Sequence, residues 1–239
     1  MEITYLLNSG FLIRDDKTLI VFDDYADPTH EVSKALDSNF DRLYIFASHA
    51  HFDHFSFEIL KFADQVEKFI FSYDIRRTKR VKSFPPDKIE FMKRYSEWKD
   101  ESISVNSFDS TDIGISYLLE VNGHKIFHAG DFNYWYWSGD TEVNRNQATL
   151  EFNRQMEKLD GLEADIAFFP IDGRLGEYRD LGAQEFFHRT NIKSLVAMHN
   201  VGFTPWIPNR DFFGDKNPIP TWSPSKSGET KIFEGDQFQ

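Results

Sequence analysis

The segment Ser48-His49-Ala50-His51-Phe52-Asp53-His54 puts three histidines and an aspartate within six residues, directly after the apolar run Leu43 to Ser48. An uninterrupted apolar run of this length reads as a strand buried on both faces. The histidines therefore emerge at a strand end. In extended backbone, alternate residues share a face, so His49 and His51 can hold one ion together. The pattern then turns helical from near Asp53, with Phe55, Ile59, Leu60, Phe62, Ala63 and Val66 on one side. That turn swings Asp53 and His54 toward a second position nearby. Imidazole and carboxylate ligands suit zinc, manganese or iron. The chain has no cysteine, which removes thiolate ligands, disulfides and a cysteine nucleophile.

The surrounding pattern predicts an α/β chain. Ile3 to Leu7, Phe11 to Arg14 and Leu19 to Phe22 are short strands separated by turn residues, and Glu31 to Leu36 is a short helix. Lys68 to Ser72 is a further strand. Residues 75 to 100 are charged and irregular around Pro85-Pro86, with strand character returning at Ile89 to Met92. In the second half, Ile103 to Phe108 and Ile113 to Val121 are strands, and Asn122-Gly123 turns the chain into Lys125 to His128. A helix over Asn144 to Leu159, a strand over Asp165 to Pro170, a helix over Ala183 to Arg189 and a strand over Ser194 to His199 follow. Lys231 to Phe238 forms a last edge strand.

Composition narrows the partners. With 27 Lys plus Arg against 39 Asp plus Glu, the net charge of −12 opposes general binding to nucleic acid or an anionic membrane. Hydrophobic residues at 40% suffice for one sizeable core, so residues 1–239 are expected to form a single domain. No apolar run approaches the ~18 residues of a membrane-spanning helix. The N-terminus lacks a signal-peptide pattern, and a soluble cytoplasmic protein is expected.

His49-Ala50-His51-Phe52-Asp53-His54 matches H-x-H-x-D-H, and on it the chain resembles the metallo-β-lactamase superfamily. The resemblance extends over Ile3 to His199, and is strongest to the branch containing ascorbate-6-phosphate lactonase. It implies a four-layer αββα sandwich with a binuclear metal site at the sheet edges. A Gly-Asp at a strand end fits Phe127-His128-Ala129-Gly130-Asp131, and a final histidine fits Val196-Ala197-Met198-His199. His49 and His51 would then bind a first metal, Asp53, His54 and His199 a second, and Asp131 would bridge them. One piece departs from the pattern. The family's further histidine before the hairpin is missing from Asn106 to Gly114. Either Asp109 or Asp112 supplies an oxygen instead, favouring manganese or iron over zinc, or the first site is incomplete and its ion labile. His124 and His128 lie on the hairpin, where His128 either reaches the metals or is a supporting or core residue.

Several positions beside the metals bear on substrate. Phe132 to Trp137 follows the bridging aspartate, so Asn133, Trp135 and Trp137 can line the mouth of the site; the alternative is a packed loop anchoring the next helix. Asp172 and Arg174 follow another strand, where Arg174 either grips a carboxylate or phosphate or pairs with Asp172. Asp23 or Asp24 can orient a ligating histidine. The basic run Arg76 to Lys82 either receives phosphate or nucleic acid or is a solvated helix face. The implied activity is a hydrolase in which a hydroxide held by two divalent ions cleaves an ester, lactone or phosphoester of a small anionic substrate. Asp53 both ligates and orients the water or takes its proton. The alternatives are a phosphodiesterase acting on nucleotides or lipids, and a non-catalytic metal-binding protein. A small-molecule substrate, no nucleic acid, no membrane and, compatibly, a homo-oligomer complete the expectation.

Overall fold

A computed structural model of the protein describes residues 1–239. The chain opens with an antiparallel meander of β1 (Glu2–Leu7), β2 (Gly10–Asp15) and β3 (Thr18–Phe22). Helix α1 (Glu31–Leu36) leads into β4 (Arg42–Ala47), β5 (Lys68–Ser72) and β6 (Ile89–Met92), each parallel to the strand before it. The side chains of these strands alternate between two cores. Ile20, Phe22, Tyr44, Phe46 and Ile70 face the space between the sheets, whereas Leu19, Val21, Leu43, Ile45, Phe69 and Phe71 face outward under short helical turns. Burial on both faces is why the Leu43 run contains no charged residue.

The second sheet begins with β7 (Glu97–Lys99), β8 (Ile103–Asp109), β9 (Ile115–Val121) and β10 (His124–His128), all antiparallel. After α2 (Glu142–Met156), β11 (Glu163–Ala164) pairs in parallel with β13 (Asn191–Ile192) as a small separate ribbon. Strands β12 (Ile166–Pro170), β14 (Leu195–Met198) and β15 (Thr221–Trp222) extend the second sheet in parallel from β10. Helices α3 (Leu181–Arg189) and α4 (Arg210–Phe213) lie between them in the chain. Finally β16 (Thr230–Glu234) and β17 (Gln237–Phe238) return beside β1, making sheets of eight and seven strands. On the outer face of the second sheet, Phe186 of α3 stacks on Phe127 of β10, and Phe152 of α2 stacks on Phe132. The layers are those of an αββα sandwich.

Three expected elements differ. The last in the chain, Lys231 to Phe238, is not a single edge strand but the antiparallel pair β16 and β17, because Gly235 and Asp236 (φ 56° and 59°) turn the chain back. The helix from Asp53 is only a 3-10 turn over Phe57–Phe62, capped by the Ser56 hydroxyl, which accepts from the Glu58 N–H at 3.2 Å. The apolar spacing selected the buried face correctly, since Phe55, Ile59, Phe62 and Val66 are buried. Continuous helix is lost because Ser56 is extended (φ −123°, ψ 156°), which ends the turn around His51 to Phe55. Helix α2 starts at Glu142 rather than Asn144, because the Thr141 hydroxyl accepts from the Asn144 N–H and starts the helix there. No helix is long and apolar enough to cross a membrane.

Candidate metal centre

The loops after β3, β4, β10, β12 and β14 leave the carboxyl ends of parallel strands along one edge of the sandwich, where binding sites of α/β sheets form. They deliver Asp23, the His49–His54 segment, Asp131, Asp172 and His199 to one place. The β8–β9 loop adds Asp112, and the β1–β2 turn adds Asn8.

Two donor groups share Asp131, and His49 lies within reach of His54 in the second as well as of His51 in the first. In the first, His49 Nε2 lies 2.9 Å from His51 Nδ1 and 3.4 Å from Asp131 Oδ2. Donor atoms of His51, Asp112 and Asp131 all lie within 4.8 Å of one another. In the second, Asp131 Oδ1 lies 3.1 Å from His54 Nε2 and 3.5 Å from His199 Nε2, and Asp53 Oδ2 lies 3.7 and 3.8 Å from the same two nitrogens. The two oxygens of one carboxylate thus face opposite groups. The second group is the more enclosed, with His54, Asp131 and His199 buried, while His51 and Asp112 are exposed.

A further ring of side chains fixes the imidazoles by their other nitrogens. His54 Nδ1–H donates to Asp23 Oδ2 at 2.7 Å, and His199 Nδ1–H to Asp172 Oδ2 at 3.1 Å. Ser48 Oγ sits 3.0 Å from His49 Nδ1 and donates to Asp23 Oδ2 at 2.7 Å, while the Ser48 N–H donates to Asp23 Oδ1 at 2.7 Å. With Nδ1 protonated, the lone pairs of His54 and His199 at Nε2 point inward. Asn8 Nδ2–H holds Asp53 Oδ2 at 3.2 Å, and the Ala50 N–H donates to Asp74 Oδ2 at 2.9 Å. His199 and Asp23 both have positive φ (60° and 44°), a strained conformation held by the contacts around the site.

The residues fit a cation. His54 Nε2 and Asp131 Oδ1 are buried, face each other, and have no hydrogen-bond partner. A basic nitrogen and a carboxylate oxygen buried together without donors are satisfied by a metal ion. Electrostatics agree. Burial opposes ionisation of the Asp131 carboxyl, yet the His54 and His49 rings hold it well below the usual carboxylate range. Burial likewise opposes charge on His54, but Asp131 and Asp23 push it well above the ordinary histidine value. Asp172 drops to about 2, its burial outweighed by hydrogen bonds from His199 and Arg174. The site attracts positive charge strongly.

An adjoining cavity of about 600 Å³ is lined by Phe52, Asp53, Thr111, Trp135, Trp137 and Arg174 as well as donor residues. Trp135 and Trp137 stack at 6.0 Å, and Trp135 Nε1–H donates to the Asp131 carbonyl at 3.0 Å. Arg174 crosses the Trp137 face at 5.6 Å while pairing with Asp172 at 2.5 Å. Asn133, expected to line this mouth, does not. It is fully buried, its Oδ1 accepts from the Tyr134 N–H at 2.8 Å, and only a glycine at 182 leaves room for it. Asp172 is likewise buried and occupied by His199 and Arg174, so it positions those residues instead of presenting itself to substrate.

Of the two oxygen donors expected near the missing histidine, Asp112 joins the group and Asp109 does not. Asp109 Oδ2 accepts from Arg94 at 2.8 Å and from Gln155 at 3.2 Å. His128 is a buried packing residue, stacked on Phe22 at 4.6 Å and bonded through Nε2 to the Ser9 carbonyl at 2.9 Å. Sequence reasoning missed Asn8, whose left-handed turn conformation (φ 55°) read only as a turn. It also missed Arg80, which donates to the Ala50 and Phe55 carbonyls and clamps the histidine loop.

With this geometry in place, solved structures give a direct comparison. The chain is similar to Igni18, a metallo hydrolase from the archaeon Ignicoccus hospitalis, at 17% identity and TM-score 0.65, with 96% of each chain covered. It is also similar to YhfI of Bacillus subtilis, a metallo-β-lactamase fold protein, at 13% identity and TM-score 0.57, covering 96% of this chain and 98% of that one. The protein has the metallo-β-lactamase fold. Human tRNase Z, short form, matches at 16% identity and TM-score 0.51 over 84% of this chain and 92% of that one. No family model matches the sequence, and no curated protein does.

Proposed function

We propose that the protein is a metal-dependent hydrolase that cleaves an ester, lactone or phosphoester in a small anionic substrate. The observation carrying this reading is the set of donors gathered around Asp131, with His54 Nε2 and Asp131 Oδ1 buried, unpartnered and facing each other. His49, His51, Asp112 and Asp131 would hold one divalent ion, and Asp53, His54, His199 and Asp131 a second. Zinc, manganese or iron bound there would polarise a carbonyl or phosphoryl oxygen and acidify water. Exposure of His51 and Asp112, and an oxygen where the family has a histidine, make the first position the weaker one and favour a harder ion there.

The chain's own residues supply the rest. Asp53 is one-quarter exposed at its side chain and faces the cavity, so with Asn8 fixing one oxygen it can orient water and accept its proton. Asp23 and Asp172 hold His54 and His199 in the tautomer that keeps Nε2 free. Trp135 and Trp137 offer apolar faces beside the reacting centre, and Arg174 adds a cation. The lactone and ester classes follow the resemblance to the ascorbate-6-phosphate lactonase branch, and a small molecule in the cytoplasm is the substrate this reading adopts. Metal analysis of protein purified without chelator should find two ions per chain. Ester, lactone and phosphoester substrates should turn over with added manganese or zinc, and His51→Ala and Asp131→Ala should each abolish that turnover. Turnover surviving both substitutions and chelation overturns the proposal.

A further inference from the structure

We propose that Arg80 and Asp74 are positioning residues that set whether the first ion position, at His49, His51 and Asp112, is filled. This assignment rests on the two-ion reading above. The two positions are held in different ways. In the second, His54 and His199 each give their Nδ1 proton to a buried carboxylate, Asp23 and Asp172, and Asp53 is held by Asn8. His51 has no such anchor. It is exposed, and its Nδ1 faces only His49 Nε2, at 2.9 Å. The place of its ring therefore depends on the backbone that carries it.

That backbone is held from one side. Ala50 stands between the two histidines, and both of its polar main-chain groups are taken by the segment after β5. The Ala50 N–H donates to Asp74 Oδ2 at 2.9 Å, and the Ala50 carbonyl accepts from Arg80 Nη2. Arg80 Nη1 donates to the Phe55 carbonyl, so one guanidinium bridges the start and the end of the turn. The turn is closed on itself by the Phe55 N–H, which donates to the His51 carbonyl at 3.0 Å. The guanidinium also lies 5.0 Å from the centre of the Phe55 ring, which is fully buried. Arginine suits this role because its donors diverge in one plane, whereas a lysine ammonium acts as a point charge. Arg80 is thus the inward-turned member of the basic run Arg76 to Lys82, in which Arg76, Arg77, Lys79 and Lys82 are exposed. Its segment is anchored in turn by Ile75, Val81 and Phe84, buried in the same outer core as Phe55. Release of this clamp would free His51, while Asp23, Asp172 and Asn8 keep the second position in place.

The sign of the effect separates this role from plain electrostatics. Arg80→Met removes a cation beside a cation site, which by charge alone would tighten metal binding, whereas loss of the clamp loosens it. Titration with manganese, with the free ion counted by its paramagnetic resonance signal, gives the number of ions and both affinities. In Arg80→Met the weaker ion should lose about tenfold or more in affinity, the usual effect of removing a supporting contact, and the tighter ion should stay within about threefold of wild type. Asp74→Leu should do the same. Asp74→Asn, which keeps an acceptor for the Ala50 N–H, should hold the weaker ion within about threefold of wild type. In metal-free protein, deuterium exchange over His49 to Phe55 should be about tenfold faster in Arg80→Met and unchanged in β4. Tighter binding of the weaker ion, equal weakening of both, or unchanged exchange in Arg80→Met overturns the assignment, as does Asp74→Asn behaving like Asp74→Leu. Wild type that takes up fewer than two ions overturns the two-ion reading itself, and this assignment with it.

Discussion

Asp23→Asn isolates the tautomer control of the centre. The carboxylate is fully buried and accepts three hydrogen bonds of 2.7 Å, from Ser48 N–H and Ser48 Oγ–H and from His54 Nδ1–H. Asparagine keeps nearly the same shape. Its carbonyl can still accept from the Ser48 N–H, but its amide then faces Ser48 Oγ and His54 Nδ1 as a donor. His54 can satisfy that donor only by giving up the Nδ1 proton, which places its proton on Nε2 and removes the lone pair aimed at Asp131. Restoring the ligating tautomer sets two N–H groups against each other, and leaving a buried donor unsatisfied costs about 1–3 kcal/mol. At 1.36 kcal/mol per decade, metal affinity should fall roughly 10- to 100-fold, the usual effect of removing such a supporting partner. A chromophoric chelator competing for zinc or manganese measures this, with circular dichroism confirming the fold. Affinity within twofold of wild type in a folded variant would refute the argument that Asp23 sets the His54 tautomer.

Three further outcomes are expected. Burial, with Asp27 nearby, pushes the Asp24 carboxyl from its ordinary 3.8 up to about 7. The folded state therefore holds this proton more tightly than the unfolded chain, and stability falls as pH rises from about 4 to 7; Asp24→Asn should stabilise by roughly 4 kcal/mol at pH 8 and little at pH 4 in urea unfolding. An equal effect at both pH values would contradict the shift. At Gly114 (φ +89°) an added Cβ would meet the Ser48 carbonyl oxygen at 2.2 Å and His49 Cβ at 2.4 Å. Gly114→Ala should therefore cost about 3 kcal/mol, lowering Tm by roughly 6–12 °C, and should weaken metal binding. Burial opposes charge on His54, but Asp131 and Asp23 favour a proton on its ring, so metal and proton compete there and metal affinity should fall as pH drops. Chelator competition at about pH 5 and about pH 8 should show the weaker binding at the lower pH, and equal affinity at both would contradict the competition.

Much of the centre was legible in the chain because its donors are local. His49, His51, Asp53 and His54 lie in one turn after an apolar strand, and strand end and spacing alone place them together. Asp131 and His199 required the family resemblance, since 77 and 145 residues separate them from His54 (131 − 54 and 199 − 54). The Asp23 contact was anticipated only as one of two candidates. Between Asp109 and Asp112 the pattern offered no choice, because both are short carboxylates on the same loop. Asn133 was misplaced for the opposite reason: its proximity to Asp131 in sequence says nothing about which way its side chain turns.

What the sequence determined by itself is what depends on periodicity and composition. Alternating and uninterrupted apolar runs specify the strands and which of their faces are buried, and the histidine cluster specifies metal chemistry, because both are written in adjacent residues. Tertiary structure decided what depends on contacts between distant segments. It gave Asp109 to Arg94 and left Asp112 facing the donors, turned Asp172 onto His199, brought Asn8 to Asp53, and cut the helix after His54 to a single turn. Each outcome depends on which partner reaches a polar group first when strands far apart in the chain end at the same edge, and local sequence does not encode that competition.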